Sequence, residues 1–376
     1  MATRTITLAE KLAVKGREMS EDARFTFEEV QLAFRNHGMP LEALRYDITP
    51  SGLHYLFSHF DIGDVDPATW RLEVNGLVER QLTLTLDDLK RMPQVTIPVT
   101  LECAGNGRAF THPRPIGQPW IREAVGTANW SGVRLSTVLK EAGVKPQAAD
   151  VVFRGADHGI ERGEEHTFAR SLKPAVALRD EVLLAHTMNG APLEPQHGAP
   201  LRLVVPGWYG MASVKWLVGI EAIDRPFDGY QQAHNYHYRR SDEDKGTPVT
   251  FIKVRSLIVP PGFPDYMSQA RVVSAGRVPL NGRAWSGNGV SVARVEVAVN
   301  GVWREAALGS QPGAFAWRSW SYEWDASPGE YELACRATDA EGDAQPLEQW
   351  WTLGGMGNNL VHKIAVVVRA SGASAG

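Results

Sequence analysis

The rhythm of apolar and polar positions changes along the chain. Thr26 to Glu29 has the Thr-x-x-Glu spacing of a capping box, and VQLAFRNHG then runs to Gly38, placed where a left-handed stop would sit. A short amphipathic leading helix is predicted there. WRLEVNG, from Trp70 to Gly76, alternates and ends in Asn-Gly, which reads as a strand entering a tight turn. Thr85 and Asp88 are spaced to cap a short helix that Pro93 stops. VTIPVTLEC, residues 95 to 103, is an apolar, β-branched run that delivers Cys103 to the start of the loop AGNGR. Leu135 to Gly143 reads as a helix with a glycine stop, and VVFRGAD, LRLVVPG and VKWLVGIEAI read as strands. Strands mixed with short helices at irregular spacing predict an α+β domain rather than a doubly wound one.

After about residue 245 only strands and turns are predicted. VARVEVAVNGVW places Val295, Val297 and Val299 on one face and turns at Asn300-Gly301. SWSYEWD does the same for Trp320, Tyr322 and Trp324, and EYELACRATD for Tyr331, Leu333 and Cys335. Short alternating strands separated by turn residues indicate an immunoglobulin-like β-sandwich. The expected organisation is therefore an N-terminal extension with a short helix over 1–44, a catalytic α+β domain over 45–245, and a β-sandwich over 246–370. No internal repeat or low-complexity stretch is present beyond the SGASAG tail.

Size and composition agree with two cores, because 376 residues at 43% hydrophobic content exceed what one core usually holds. A formal net charge of −4 gives no reason to expect nucleic acid or an anionic membrane as partner. The first residues carry charges throughout and hold no apolar run of signal-peptide or membrane-span length, so a cytoplasmic location is expected. Two cysteines, Cys103 and Cys335, exclude a disulfide framework and fit reduced thiols.

Cys103 lies between an apolar strand and a loop whose glycines let backbone approach a ligand closely. Arg108, five residues on, is placed to lower the thiol pKa and to meet an anion. An inert buried thiol is the structural alternative, and Cys335, on the apolar face of a sandwich strand, is read as core. The chain has no G-x-G-x-x-G after a strand, no Walker loop, no H-E-x-x-H, no C-x-x-C and no nucleophile elbow. A cysteine hydrolase pairing Cys103 with one of the 11 histidines stays open, since spacing chooses no partner.

TLECAGNGR resembles the molybdenum-ligand segment of the sulfite oxidase and assimilatory nitrate reductase family. ITPSGLHYLFSH, DPATWRLEVNG, LTLTLDDL, GVRLSTVL, MNGAPLEPQHGAPLRLVVPG, VKWL, NGRAWSG and GNNLVHKIAVVV follow in the family's order across roughly residues 45 to 370. The resemblance implies a mixed α/β molybdopterin domain followed by an immunoglobulin-like domain that often supports dimers. It also implies a single-pterin molybdenum cofactor whose metal takes the thiolate of Cys103, a soft donor suited to a redox metal.

Carried over by position, Phe57, Ser58, His59, Asp157, His197, Arg202, Ser213 and Lys215 match residues that hold the pterin or its phosphate. Arg108 matches an arginine beside the active site and Trp120 a tryptophan that walls it. The family's active-site tyrosine aligns best with Tyr238, with Tyr236 second. Two cations that grip sulfite in the family are replaced, by Phe57 and by Gly354. Arg239, Arg240, His234 or His237 are the candidates to compensate.

The resemblance implies two-electron oxygen-atom transfer, oxidising sulfite to sulfate. With neither a b-type haem signature nor C-x-x-C-H in the chain, electrons are expected to pass to a separate acceptor. The alternatives are action on another oxyanion or reduction of a sulfoxide or N-oxide by the same cofactor, and, from a different class, a non-catalytic binding protein with a structural Cys103.

Overall fold

The computed structural model describes residues 25–161 and 163–370. The charged N-terminal stretch up to residue 24 and the SGASAG tail lie outside the described residues.

Both capping boxes form. Thr26 and Glu29 close the first turn of α1 (Phe27–Arg35), and Thr85 and Asp88 that of α2 (Leu86–Arg91). The end of α1 departs from expectation, because the helix stops at Arg35 and Asn36 is already extended. Gly38 serves a different purpose: a Cβ there would meet Cβ of Glu123 at 2.4 Å, so glycine permits a close crossing of two segments. Among the described residues α1 buries no apolar face. Phe27 and Phe34 are 72% and 88% exposed, and the helix is docked through Glu29, which is ion-paired to Arg114 and accepts the Gly117 N–H at 3.2 Å.

Two five-stranded sheets build the first domain. One has the order β2-β1-β10-β5-β6, from β1 (Leu72–Gly76), β2 (Leu82–Leu84), β5 (Asp150–Glu161), β6 (Glu164–Leu172) and β10 (Leu217–Ile223). The other runs β3-β4-β7-β8, with β9 on β7, from β3 (Gln94–Glu102), β4 (Val125–Arg134), β7 (Leu183–Met188), β8 (Ala191–Pro192) and β9 (Arg202–Val204). Helix α3 (Leu135–Ala142) ends at Gly143, whose φ of 69° supplies the predicted left-handed stop. The core of this domain takes in Met39, Ala43 and Leu44, so it begins before residue 45. It also takes in Leu257, Trp285 and Trp317, which makes the contact with the second domain a packed seam.

The ribbon β11 (His237–Tyr238) and β12 (Thr247–Pro248) leads into the sandwich. Its four-stranded sheet has the order β13-β16-β20-β19, from β13 (Arg255–Ile258), β16 (Gly276–Trp285), β19 (Ala307–Leu308) and β20 (Arg318–Ala326). Its six-stranded sheet runs β14-β15-β22-β21-β17-β18, from β14 (Phe263–Pro264), β15 (Arg271–Ser274), β17 (Val292–Val299), β18 (Val302–Glu305), β21 (Gly329–Asp339) and β22 (His362–Arg369). Asn300 and Gly301, at φ 48° and 79°, make the predicted two-residue turn between β17 and β18. Val295, Val297, Trp320, Trp324, Leu333 and Cys335 meet in the second core, where Cys335 is fully buried. Among the described residues no helix is long and apolar enough to cross a membrane.

Candidate cofactor and substrate site

Strand β3 ends at Glu102 and sets Cys103 where two cavities meet. The inner cavity, about 700 Å³ including open solvent, is lined by His54, Tyr55, Phe57, Ser58, His59, Cys103, Asp157, His197, Arg202, Ser213, Lys215 and Tyr236, among others. The outer cavity, about 1470 Å³ including open solvent, shares Phe57, Ser58, His59, Cys103 and Tyr236 and adds Arg108, His234, His237, Arg239, Leu353 and Gly354.

Local backbone devices aim the inner side chains. The pairing of β5 with β6 shifts between Arg154 and His158, and this irregularity carries Asp157. A Cβ on Gly155 would lie 2.3 Å from Asp157 Oδ1, so the glycine gives that carboxylate its place. Arg202, in β9, donates to the carbonyls of His197 and Ser213 at 3.1 and 3.2 Å and lies over the Trp130 ring at 4.7 Å. Lys215 donates to Phe57 O, Ser58 Oγ and Gln196 O at 3.0, 2.7 and 3.1 Å, tying the segment from Phe57 to His59 to the turn that carries His197. Ser213 Oγ accepts the Val205 N–H at 3.1 Å.

Burial sets the charge states. It lowers His54 to about 4 and His59 and His197 to about 3, so these imidazoles are neutral near pH 7 and do not serve as cations. Burial lowers Lys215 to about 7 and raises Asp157 to about 6, with the lysine pulling the carboxyl the other way. The Cys103 thiol, 8% exposed, is pushed up by burial against the pull of Arg108.

On the outer side Arg108 donates to the carbonyls of Gly354 and Gln118 at 2.9 and 3.1 Å, so two guanidinium nitrogens are spent on backbone. Gly354 thus contributes a carbonyl where a cation was expected. Phe57 packs edge-on against His59 at 4.7 Å and Trp120 at 6.1 Å. Trp120 packs in one cluster with Cys103 and Phe57, its indole bearing on the Cys103 thiol, and is not itself among the residues lining either cavity. Arg239, His234 and His237 line the outer cavity, whereas Arg240 does not.

Of the two candidate tyrosines, the cavities take in Tyr236 and not Tyr238, which the sequence ranks first. Tyr236 is 5% exposed, lines both cavities and shares a hydrogen bond of 3.0 Å with His59 Nε2. Tyr238 packs against Trp350 at 4.9 Å and under Lys253, on the sandwich side. The reason is local: Tyr236 follows a π-turn (Gln231–Asn235) with φ −91° and ψ 71°, so strand alternation does not connect it to Tyr238.

Two residues escaped the sequence reading. His54, inside the quoted ITPSGLHYLFSH, is fully buried and meets His197 edge-on at 5.8 Å. Arg170, 3% exposed, lies 5.4 Å from the Tyr236 ring and close enough to His59 to depress its pKa. Its signal was an arginine within the apolar run of TFARSL.

The inner cavity fits a hydrogen-bonding heterocycle with an anionic tail. Buried His54 Nε2, Asp157 Oδ1 and Arg202 Nε have no hydrogen-bond partner among the described residues, and all three residues line it. Such groups cost on the order of 1–3 kcal/mol each when left unmade. A pterin offers both N–H donors and ring acceptors, and Arg202 is the charge suited to a phosphate. Among the described residues no cluster of His, Cys, Asp and Glu could hold a metal ion by itself, so a metal here needs donors from a ligand beside Cys103.

Comparison with known proteins agrees with that geometry. Residues 59–231 match the oxidoreductase molybdopterin binding domain, and residues 248–369 match the Mo-co oxidoreductase dimerisation domain. The chain is 35% identical over 346 residues to mitochondrial sulfite oxidase of Homo sapiens, covering 85% of this chain and 62% of that protein. It is 32% identical over 349 residues to an NADH nitrate reductase of Ulva prolifera, covering 84% and 40%. Among solved structures, the sulfane dehydrogenase SoxCD from Paracoccus pantotrophus superposes with a TM-score of 0.76 at 27% identity, covering 95% of this chain and 89% of that one. The chain spans less than two thirds of the length of the curated relatives.

Proposed function

The chain belongs to the molybdopterin-binding oxidoreductases of the sulfite oxidase and nitrate reductase type, and from that premise we propose that it is a molybdenum-dependent enzyme that oxidises sulfite to sulfate. The observation that carries the reading is the position of Cys103 at the junction of two cavities, one of them lined by the unmet polar atoms of His54, Asp157 and Arg202. Bound there, the molybdenum–pterin group supplies two-electron oxygen-atom transfer; water furnishes the oxygen overall, and two protons and two electrons leave, the electrons to a separate one-electron acceptor.

The protein's own share follows from the geometry. Cys103 holds the metal by its thiolate, while His54, Asp157, His197 and Arg202 hold the pterin and its phosphate. Ser58, Ser213 and Lys215 fix the walls of the pterin site through the hydrogen bonds already described. Arg108 and Arg239 are the cations facing the outer cavity, and Arg108 is oriented by its two carbonyl partners. Tyr236, hydrogen-bonded to neutral His59 above Arg170, is the hydroxyl placed to meet a substrate oxygen. Steady-state assay with sulfite tests the activity. Tyr236→Phe is expected to lower kcat several-fold and Tyr238→Phe to leave it within twofold; the reverse order rejects the assignment.

A second reading rests on Phe57 and Gly354. With an aromatic ring and a carbonyl where the family places cations, the outer cavity suits a less charged substrate, such as a sulfoxide, an N-oxide or a sulfane like that named for the structural relative. Parallel assays with sulfite, nitrate, sulfoxides and sulfanes separate the readings. The proposal extends to a dimer formed through the sandwich, supported by the match of residues 248–369, and to a cytoplasmic location, consistent with two unpaired cysteines. Sedimentation and cell fractionation check these.

A further inference from the structure

The sandwich reaches back to the cysteine loop at Glu102, Ala104, Asn106, Gly107 and Arg108. Glu102, immediately before Cys103, is fully buried, and its carboxylate lies 2.7 Å from Arg255 Nε and accepts the Trp285 indole N–H at 2.8 Å. Arg255 and Trp285 are directly opposite one another at the end of the β13–β16 ladder, so one cross-strand pair of the sandwich grips one carboxylate of the other domain. The same carboxylate accepts Asn106 Nδ2 at 3.0 Å, and Arg255 Nη2 donates to Asn106 O at 3.2 Å. Further along, the Gly357 N–H donates to Ala104 O at 2.8 Å, Asn358 Nδ2 to Gly107 O at 2.9 Å, and Arg108 Nε to Gly354 O at 2.9 Å. Arg255 Nη2 also donates to Asn358 O, which joins the two grips.

We propose that the β-sandwich acts as a jig for the ligand loop, with Arg255, Trp285 and Asn358 as positioning residues that set Cys103 and Arg108 relative to the two cavities. Gly107, at φ 91°, is held against Asn358 so closely that a Cβ there would lie 2.9 Å from Asn358 O. A loop with two glycines is otherwise among the easiest segments to displace. Buried, charge-assisted contacts from a separate sheet remove that freedom, and a planar guanidinium bridging a carboxylate and two carbonyls cannot be copied by an ammonium. The inference concerns the loop and holds whichever substrate the site takes; only its kinetic consequence rests on the proposed activity.

Hydrogen exchange on the full-length protein, with and without cofactor, tests it. Arg255→Lys is expected to speed exchange of the amides of residues 103 to 108 at least tenfold while those of 333 to 337, in the sandwich core, stay within twofold. In loaded protein kcat is expected to fall and the sulfite KM to rise, because Cys103 and Arg108 both lose their setting. Trp285→Phe keeps the aromatic packing and loses one N–H; it is expected to move the same amides in the same direction by less, and provides the test if Arg255→Lys does not fold. Loop exchange within twofold of wild type in a folded variant overturns the proposal, as does loosening that spreads equally through the sandwich. Because exchange is read without turnover, failure of the sulfite assay leaves this result distinct.

Discussion

The two cavities that meet at Cys103 differ in the polar groups they gather. In the inner one, buried donors and acceptors on His54, Asp157 and Arg202 are left unmade among the described residues, a cost of about 1–3 kcal/mol each that a bound group would offset. In the outer one, His237 Nδ1 and Arg239 Nε are likewise unmade among the described residues, Arg108 is tied to two carbonyls as Arg202 is, and Phe57 fills a wall with an aromatic ring. An imidazole, a carboxyl and a guanidinium grouped about the inner cavity suit a heterocycle with an anionic tail that stays. A wide, half-apolar mouth with few uncommitted cations suits a small molecule that enters and leaves. The thiol on the partition belongs to both.

The sharpest break in that comparison is Cys103→Ser. A hydroxyl is a harder and far less acidic donor than the thiolate, so turnover is expected to vanish while pterin content persists, because the inner cavity's own contacts are untouched. Activity assay beside pterin fluorescence checks it, and wild-type turnover would remove the thiolate from the account. Arg202→Met addresses the inner cavity alone. Losing a charge-assisted contact of about 1.5–3 kcal/mol is expected to weaken cofactor retention by roughly ten- to a hundredfold, measured as molybdenum lost on dialysis.

Asp157 probes the same cavity without cofactor. Burial holds its carboxyl at about 6 against an ordinary 3.8, so the fold favours the protonated form; that stability is full below about 3.8 and is lost as pH rises through 6. In cofactor-free protein Asp157→Asn is therefore expected to be more stable than wild type above pH 6, by about 1–3 kcal/mol, with the gap closing near pH 4. Denaturant midpoints across pH would show it, and a gap that widens toward acid would contradict the sign. The outer cavity is expected to respond more weakly. Arg108→Ala should raise the sulfite KM about tenfold and Phe57→Arg lower it by a similar factor, since one such contact is worth about 1.4 kcal/mol or more. Unchanged KM in both would move anion recognition to Arg239.

What the sequence made legible follows from short-range physics. The capping boxes at Thr26 and Thr85, the Asn300-Gly301 turn and the delivery of Cys103 at a strand end all depend on neighbours within a few residues. What escaped depends on distant partners. Gly38 looked like a helix stop, but its reason is Glu123; His54 is held where Gly126 lets β4 approach, since a Cβ there would lie 2.6 Å from the His54 ring. The different surroundings of Tyr236 and Tyr238 follow from a non-extended residue that alternation could not reveal. The charge states of His54, His59 and His197 likewise needed burial, which no motif states.

The central claim is that this fold carries a molybdenum–pterin group on Cys103. Metal and pterin analysis of the full-length protein, produced with the cofactor available, tests it most directly. About one molybdenum and one pterin per chain, with X-ray absorption showing a metal–sulfur contact in wild type that is lost in Cys103→Ser, is the expected result; protein that folds with neither metal nor pterin would contradict it.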